Sequence, residues 1–135
     1  MFDRLESELL PQRTALNARA YRQEMLASNI ANADTPNYKA RDIDFKTAYE
    51  SAMNGRNPGG ISLNRTSERH LTVSNGGPFA SAMRYRTEYQ SSVDGNTVNM
   101  DIERSAFAEN SVQMEAMLTF INSHFKTLAA AIQGQ

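Results

Sequence analysis

The strongest helical signal in the chain is the segment 99–134, NMDIERSAFAENSVQMEAMLTFINSHFKTLAAAIQG. Asn99 is a good N-cap, and Asp101 and Glu103 follow in the first turn, where the helix dipole favours negative charge. Gly134 lies just past the predicted end. A helix of about 34 residues would be ~51 Å long at 1.5 Å per residue, which is more than a compact globule of this size needs.

Apolar side chains recur along this helix every three or four residues, with one polar member. The row consists of Phe107, Ser111, Met114, Leu118, Ile121, Phe125, Leu128 and Ile132. A long apolar row in a small protein favours partners beyond the chain itself. Its apolar members are therefore predicted assembly contacts.

A second long helix is predicted over residues 11–33. Pro11 suits its first position, because the missing amide hydrogen would be unpaired there. Residues 3–9 are expected to form a separate turn or a kinked extension. Pro36 disfavours helical geometry at Thr35, so the helix should end near position 34. The predicted contacts on this helix are Leu16, Ala20, Leu26, Ala27 and Ile30.

The middle of the chain is rich in turn formers, since six of the seven glycines lie between positions 55 and 95. Residues 83–89 alternate between apolar and charged side chains, which is typical of a strand. Residues 61–63 and 71–73 are weaker strand candidates. These pieces predict a small antiparallel sheet with too few apolar residues for a core of its own.

The predicted fold is therefore mainly α: two long terminal helices packed together in a coiled-coil-like arrangement, with a small irregular or β segment inserted between them. Residues 1–34 and 98–135 would form one helical unit. Residues 35–97 would form an outer segment of extended chain, short strands and loops.

Composition restricts the function. The chain has 135 residues, no cysteine and a net charge of −1. Disulfides, thiolate metal sites and cysteine nucleophiles are therefore excluded, and non-specific nucleic-acid binding is not favoured. His70 and His124 stand without a second metal ligand at helical spacing. Residues 94–105 fail as a calcium loop at the fifth and twelfth positions, which supply ligands, and at the sixth, which requires glycine. We expect no catalytic residue, no metal and no cofactor.

Targeting signals are also lacking in the sequence. After Met1 there is neither a basic start nor an apolar run, so no cleaved signal peptide is expected. The longest apolar run, 128–132, is far shorter than the ~20 residues that span a bilayer. From the residues alone the chain is expected to be soluble and cytoplasmic, unless a dedicated export route takes it elsewhere.

One segment, 29–45, NIANADTPNYKARDIDF, is small, polar and amide-rich at the end of a helix. Such residues cap and cross-link backbone groups, and here they would fix the direction in which the chain leaves the helix. The segment resembles the signature of the bacterial flagellar rod and hook proteins, and the blocks 66–71, TSERHL, and 94–104, DGNTVNMDIER, agree in order. The motif positions are Asn29, Asn32, Thr35, Pro36, Tyr38, Arg41, Gly95 and Asn96.

Small departures from the family pattern occur within this motif. Asn37 stands where the family usually has glycine, and asparagine tolerates the same positive-φ turn. Asn99 stands where aspartate is usual, and both residues are good N-caps.

The resemblance implies a structural subunit of the proximal rod, with no enzymatic activity. Family members pair their terminal helices, pack helically around the export channel, and contact other rod proteins and the base at the membrane ring. They reach the periplasmic part of the basal body through the flagellar type III export gate, without a cleaved signal peptide. Phe45 and Tyr49 fit the Phe-x-x-x-hydrophobic pattern of an export signal.

The residues alone leave another function open. A cytoplasmic helical adaptor or chaperone could use the same C-terminal row to bind another protein, and an enzyme is a more distant alternative.

Overall fold

The computed structural model describes residues 2–54, 79–87 and 92–134. It confirms the predicted fold class, since two long terminal helices pack together and a small two-stranded sheet lies between them in the chain. The elements in order are α1 (Phe2–Ala31), β1 (Arg41–Ile43), α2 (Phe45–Met53), a 3-10 turn (Ala80–Ala82), β2 (Met83–Tyr85) and α3 (Met100–Gln133).

Helix α1 begins nine residues earlier than predicted, so the expected start at Pro11 is wrong. Leu, Glu and Arg flank the proline on both sides, and these are good helix formers. Proline removes one amide donor from the helix interior, and the turns on either side continue. The helix ends at Ala31, where the amide of Asn32 donates to the carbonyl oxygens of Ser28 and Asn29 at 3.1 and 3.2 Å.

Helix α3 confirms the prediction at both ends. The Asn99 side chain accepts hydrogen bonds from the amides of Asp101 and Ile102, at 3.1 and 3.4 Å. Gly134 closes the helix in the left-handed region, at φ +73°, with its amide donating to the carbonyl of Ala130. Within the described residues, no helix combines the length and apolarity needed to cross a membrane.

The predicted small antiparallel sheet is present as the pair β1–β2, with Asp42 opposite Arg84. The alternating pattern at 83–89 located β2, whereas β1 had not been predicted. The strand candidates at 61–63 and 71–73, the block at 66–71, His70 and Tyr89 all lie outside the described residues.

Helix α2 corrects the expectation that residues 35–97 are only extended chain, strands and loops. Asp44 is its N-cap, and its side chain accepts from the amides of Lys46 and Thr47 at 3.1 and 3.4 Å. Phe45, Ala48 and Ala52 recur at helical spacing and face α1. The signal was present in the sequence as a cap followed by an apolar stripe.

Helix α1 lies between two layers, because it packs against α3 on one side and against α2 and β1 on the other. The second layer encloses a small core of Ala18, Ile43, Ala48, Phe79 and Ala82, flanked by Tyr21, Met25, Phe45 and Ala52. Three of its five buried members are alanines, so the backbones approach closely. The rings of Tyr21 and Phe79 lie 5.9 Å apart.

A crossed turn joins the chain after α1 to the chain before α3. The amide of Asn37 donates to the carbonyl of Asp94 at 2.9 Å, and the amide of Thr97 donates to the carbonyl of Tyr38 at 3.0 Å. Asn37 has φ +59°, as its place in the motif led us to expect, and Gly95 has φ +72°. A Cβ atom on Gly95 would lie 2.6 Å from Oδ1 of Asn37.

We expect Gly95→Ala to lower the free energy of unfolding by about 2 kcal/mol, since the left-handed region costs ~1–2 kcal/mol for a residue with a Cβ and Asn37 must also move. Gly134→Ala is the matched control, because Gly134 has nearly the same φ and no atom within 4 Å of the added Cβ. Urea unfolding of both variants measures the difference. Equal small losses of unfolding free energy in the two variants would show that the crossed turn does not require glycine at position 95.

Candidate assembly site

Four charged side chains connect the two long helices to the sheet. Arg86 donates to Oε1 of Glu103 at 2.8 Å and to Oδ2 of Asp42 at 2.7 Å. Arg22 on α1 donates to both carboxylate oxygens of Asp42, at 2.9 and 3.1 Å. We call this set, Glu103–Arg86–Asp42–Arg22, the ion chain. Its two carboxylates and two guanidinium groups alternate, so its formal charges cancel.

The contribution of the ion chain to the stability of the fold depends on how deeply its groups are buried. The Glu103 side chain is 1 % exposed, whereas Asp42 retains 18 % exposure. Burial raises the pKa of Asp42, but the hydrogen bonds from Arg22 and Arg86 outweigh it and hold that pKa below its ordinary value. The hydrogen bond to Asp42 in turn raises the pKa of Arg22. Asp42 is therefore ionised at neutral pH, where it bridges the two arginines.

The motif residue Asn29 docks the sheet onto α1. Its side chain is fully buried and pairs with both backbone groups of Arg41, accepting from the amide at 3.0 Å and donating to the carbonyl at 2.7 Å. The same amide donates to Oε2 of Glu103 at 3.1 Å, and Tyr38 Oη donates to Asn29 Oδ1 at 3.3 Å. The Asn29 side chain thus forms the two hydrogen bonds to the backbone of Arg41 that a neighbouring strand would otherwise form.

Asn96, the second buried motif asparagine, stabilises the turn that follows α1. Its Nδ2 donates to the carbonyl oxygens of Asn32, Ala33 and Thr35 at 3.0, 2.7 and 3.0 Å. Its Oδ1 accepts from the amide of Val98 at 2.8 Å. Backbone carbonyls in a turn need partners just as those of a helix do, and here a residue more than 60 positions away supplies one.

The remaining motif residues complete the turn. Asn32 donates from its side chain to the carbonyl of Ser28 at 2.8 Å, and Thr35 donates to Oδ1 of Asn32 at 3.2 Å. Pro36 is exposed in the turn that follows. These contacts fix the direction in which the chain leaves α1, which is the role that the residue types indicated.

A group of polar side chains crosses the contact between α1 and α3. Asn110 is fully buried and donates to the carbonyl of Arg19 at 3.0 Å and to Oε1 of Gln23 at 2.6 Å. Gln23 donates to Oγ of Ser111 at 2.6 Å. Arg19 also donates to Oε1 of Gln113. We call Gln23, Asn110 and Ser111 the polar layer. Ser111 is the polar member of the predicted row on α3, whereas Asn110 and the contacts of this layer had not been predicted.

The predicted contacts on α1 lie at different depths. Leu26 is fully buried inside the chain and is therefore a core residue, out of reach of another molecule. Leu16 and Ile30 are half-buried, and Ala20 and Ala27 are exposed.

The predicted row on α3 divides into two groups. Half-buried members recur every seven residues, and these are Phe107, Met114, Ile121 and Leu128. Between them lie Leu118, Phe125 and Ile132, which are 43, 46 and 83 % exposed, and we call these three residues the outer row. Ser111 lies on the same side one heptad earlier, but it is half-buried and accepts from Gln23 of α1. On the other side of the half-buried members, Asn110, Met117 and His124 form an inner row that is buried or half-buried.

A groove of about 570 Å³ lies between α1, α2 and α3. Phe45 and Tyr49, the candidate export signal, line it with their rings stacked at 6.3 Å. The guanidinium of Arg19 lies 4.4 Å from the centre of the Phe45 ring. Among the described residues, no group of three His, Cys, Asp or Glu side chains is placed to hold a metal ion.

Comparison with known proteins gives consistent matches. The family model "Flagella basal body rod protein" matches residues 9–39. "Flagellar basal body rod protein FlgB" from Proteus mirabilis (strain HI4320) is 50 % identical over 135 residues, which is 98 % of each chain. The protein of the same name from Salmonella typhimurium is 47 % identical over 99 % of each chain, and that from Escherichia coli (strain K12) is 44 % identical over 98 %.

We expect Asp42→Asn to lower the free energy of unfolding at pH 7 by about 2–4 kcal/mol, since it breaks a largely buried pair. Because the folded pKa of Asp42 lies below its unfolded value, its contribution is complete above about pH 4 and is lost as the pH falls further. The variant should therefore lose less stability than the unaltered chain below pH 4. Urea unfolding from pH 2.5 to 7 measures this.

Asp34→Asn is the matched control for this substitution, because Asp34 is exposed at the end of α1. Equal pH profiles for Asp42→Asn and the unaltered chain would show that the ion chain does not stabilise the fold through Asp42.

Proposed function

Since the chain belongs to the FlgB family of flagellar basal body rod proteins, we propose that it is a subunit of the proximal rod that polymerises helically through its terminal helices around the export channel. The family supports a structural role in the basal body rod. Catalysis is not part of the proposal.

The observation that carries this proposal is the outer row. Leu118, Phe125 and Ile132 place apolar side chains on the solvent side of α3, and Val112 and Phe120 of the same helix are also exposed. Exposed apolar surface costs roughly 25 cal/mol per Å² relative to buried surface, so covering it with another subunit is favourable. Contacts of this kind between unlike faces extend into a helical filament when they do not close into a ring.

The arrangement of the helices supports a division into an inner and an outer part. Asn29 contacts Glu103 and Arg19 contacts Gln113, so α1 and α3 run antiparallel and both described termini lie at the same end. The sheet lies at the other end, beside Glu103. We therefore assign residues 1–34 and 98–135 to the inner tube and residues 35–97 to its outer side.

The proposed partners are other copies of this chain, other rod proteins, and the base that joins the rod to the membrane ring. The exposed residues Ala20 and Ala27, together with half-buried Leu16 and Ile30, would add contacts from α1. Export through the type III gate, without cleavage, would bring the chain to the periplasmic part of the basal body. Phe45 and Tyr49 are the proposed export signal.

We expect Leu118→Asp and Phe125→Asp to reduce incorporation into basal bodies by at least about 10-fold, because an unpaired charge buried on assembly costs several kcal/mol. Both positions are exposed in the single chain, so its fold should survive. Cells carrying each variant as the sole copy provide basal bodies, and mass spectrometry measures this chain's peptides relative to other rod proteins. Asn122→Asp is the control, since Asn122 is an exposed polar residue of the same helix.

Wild-type amounts of both aspartate variants in assembled basal bodies would show that the outer row is not part of the interface between subunits. A chain that stays in the cytoplasm, in cells that build basal bodies without its gene, would contradict the rod function itself and favour the adaptor.

A further inference from the structure

Helix α3 carries two rows that compete for the contact with α1. Phe107, Met114, Ile121 and Leu128 lie at the border of both and would be partly buried in either case. The two rows are one residue apart, so a rotation of α3 by ~100° about its axis would exchange the inner row for the outer row.

Hydrophobicity alone favours the arrangement that is not observed. The inner row contains Asn110 and His124, whereas all three members of the outer row are apolar. Turning the outer row toward α1 would bury Leu118 and Phe125 more completely, which is favourable for apolar side chains. Ile132 would gain nothing from α1, because the contacts of Asn29 with Glu103 and of Arg19 with Gln113 place it beyond the start of that helix. The structure nevertheless packs the inner row on α1 and leaves the outer row exposed.

We infer that the polar layer, through Asn110, selects the face of α3 that packs on α1 and so keeps the outer row outside the chain, where it meets other subunits. This rests on the proposed function for the role of the outer row, but the selection itself is a property of the single chain. Asn110 acts as a positioning residue for the assembly surface.

The hydrogen bonds of Asn110 supply the selectivity. Its Nδ2 reaches across to the Arg19 carbonyl and the Gln23 amide oxygen at 3.0 and 2.6 Å, while Gln23 reaches back to Ser111. Rotation of α3 would break both contacts of Asn110, to the Arg19 carbonyl and to Gln23. The contact of Gln23 with Ser111 does not select the observed face, because Ser111 lies on the same side of α3 as the outer row. A buried polar residue in a helix contact is known to fix one alignment while lowering stability relative to an apolar residue.

Two neighbouring positions report the rotation directly. Met117 belongs to the inner row and lines the groove beside α1, whereas Leu118 belongs to the outer row. The chain contains no cysteine, so a single Met117→Cys or Leu118→Cys substitution gives one thiol in the whole molecule. The maleimide labelling rate of that thiol then measures its exposure.

The experiment compares both thiols in the isolated full chain at low micromolar concentration, with and without Asn110→Leu. In the unaltered background, the thiol at 118 should react at least about 10-fold faster than the thiol at 117, since reactivity follows exposure. With Asn110→Leu, the ratio should fall to about 3-fold or less as the outer row turns inward. Asn122→Leu, the same substitution at an exposed position of α3, should leave the ratio unchanged.

An unchanged ratio in Asn110→Leu, with helix content retained by circular dichroism, overturns the inference. If Asn110→Leu loses its helix content, Gln23→Leu decides in the same way, because it removes the side-chain acceptor of Asn110 from α1. Labelling needs no assembly, so a failure of the proposed rod function would leave this result intact. Conversely, an unchanged labelling ratio would not affect the rod function, which Leu118→Asp and Phe125→Asp test separately.

Discussion

The carboxylate of Glu103 is enclosed near the start of α3, and a charge in that position is stable only when it is paired and hydrogen-bonded. Arg86 supplies the counter-charge from the residue after β2, and Asn29 supplies an amide from α1. Arg86 then holds Asp42 in the opposite strand, and Arg22 of α1 completes the compensation. The sheet therefore lies across one end of the helix pair because displacing it would leave charges uncompensated.

The same constraint explains an unusual distribution of polarity. Amides, two carboxylates and two guanidinium groups occupy the contacts between α1, α3 and the sheet, while the outer row leaves Leu118, Phe125 and Ile132 exposed. In a protein that acts alone this would sacrifice stability, since hydrophobic burial is the main favourable contribution to folding. In a rod subunit, polar contacts can specify the shape of the single chain and leave apolar surface to join the copies.

Local sequence signals predicted α3, its two caps and the paired-helix fold, because capping and apolar spacing act over a few residues. They failed at the start of α1, because the prediction gave Pro11 more weight than the helix-forming residues around it. They also failed at α2, because the prediction did not use Asp44 as an N-cap. The face of α3 that meets α1 could not be predicted from apolar spacing. It is set by Asn110 and the carbonyl of Arg19, which lie 91 residues apart in the sequence.

The central claim is that the outer row joins copies while the inner row stays within the chain. A photo-crosslinking amino acid placed at Leu118 or at Met117, in cells that assemble basal bodies, tests it most directly. The account predicts that position 118 crosslinks to a second rod subunit, whereas position 117 crosslinks within its own chain. Equal crosslinking to other subunits from both positions, or none from position 118 in intact basal bodies, would contradict the account.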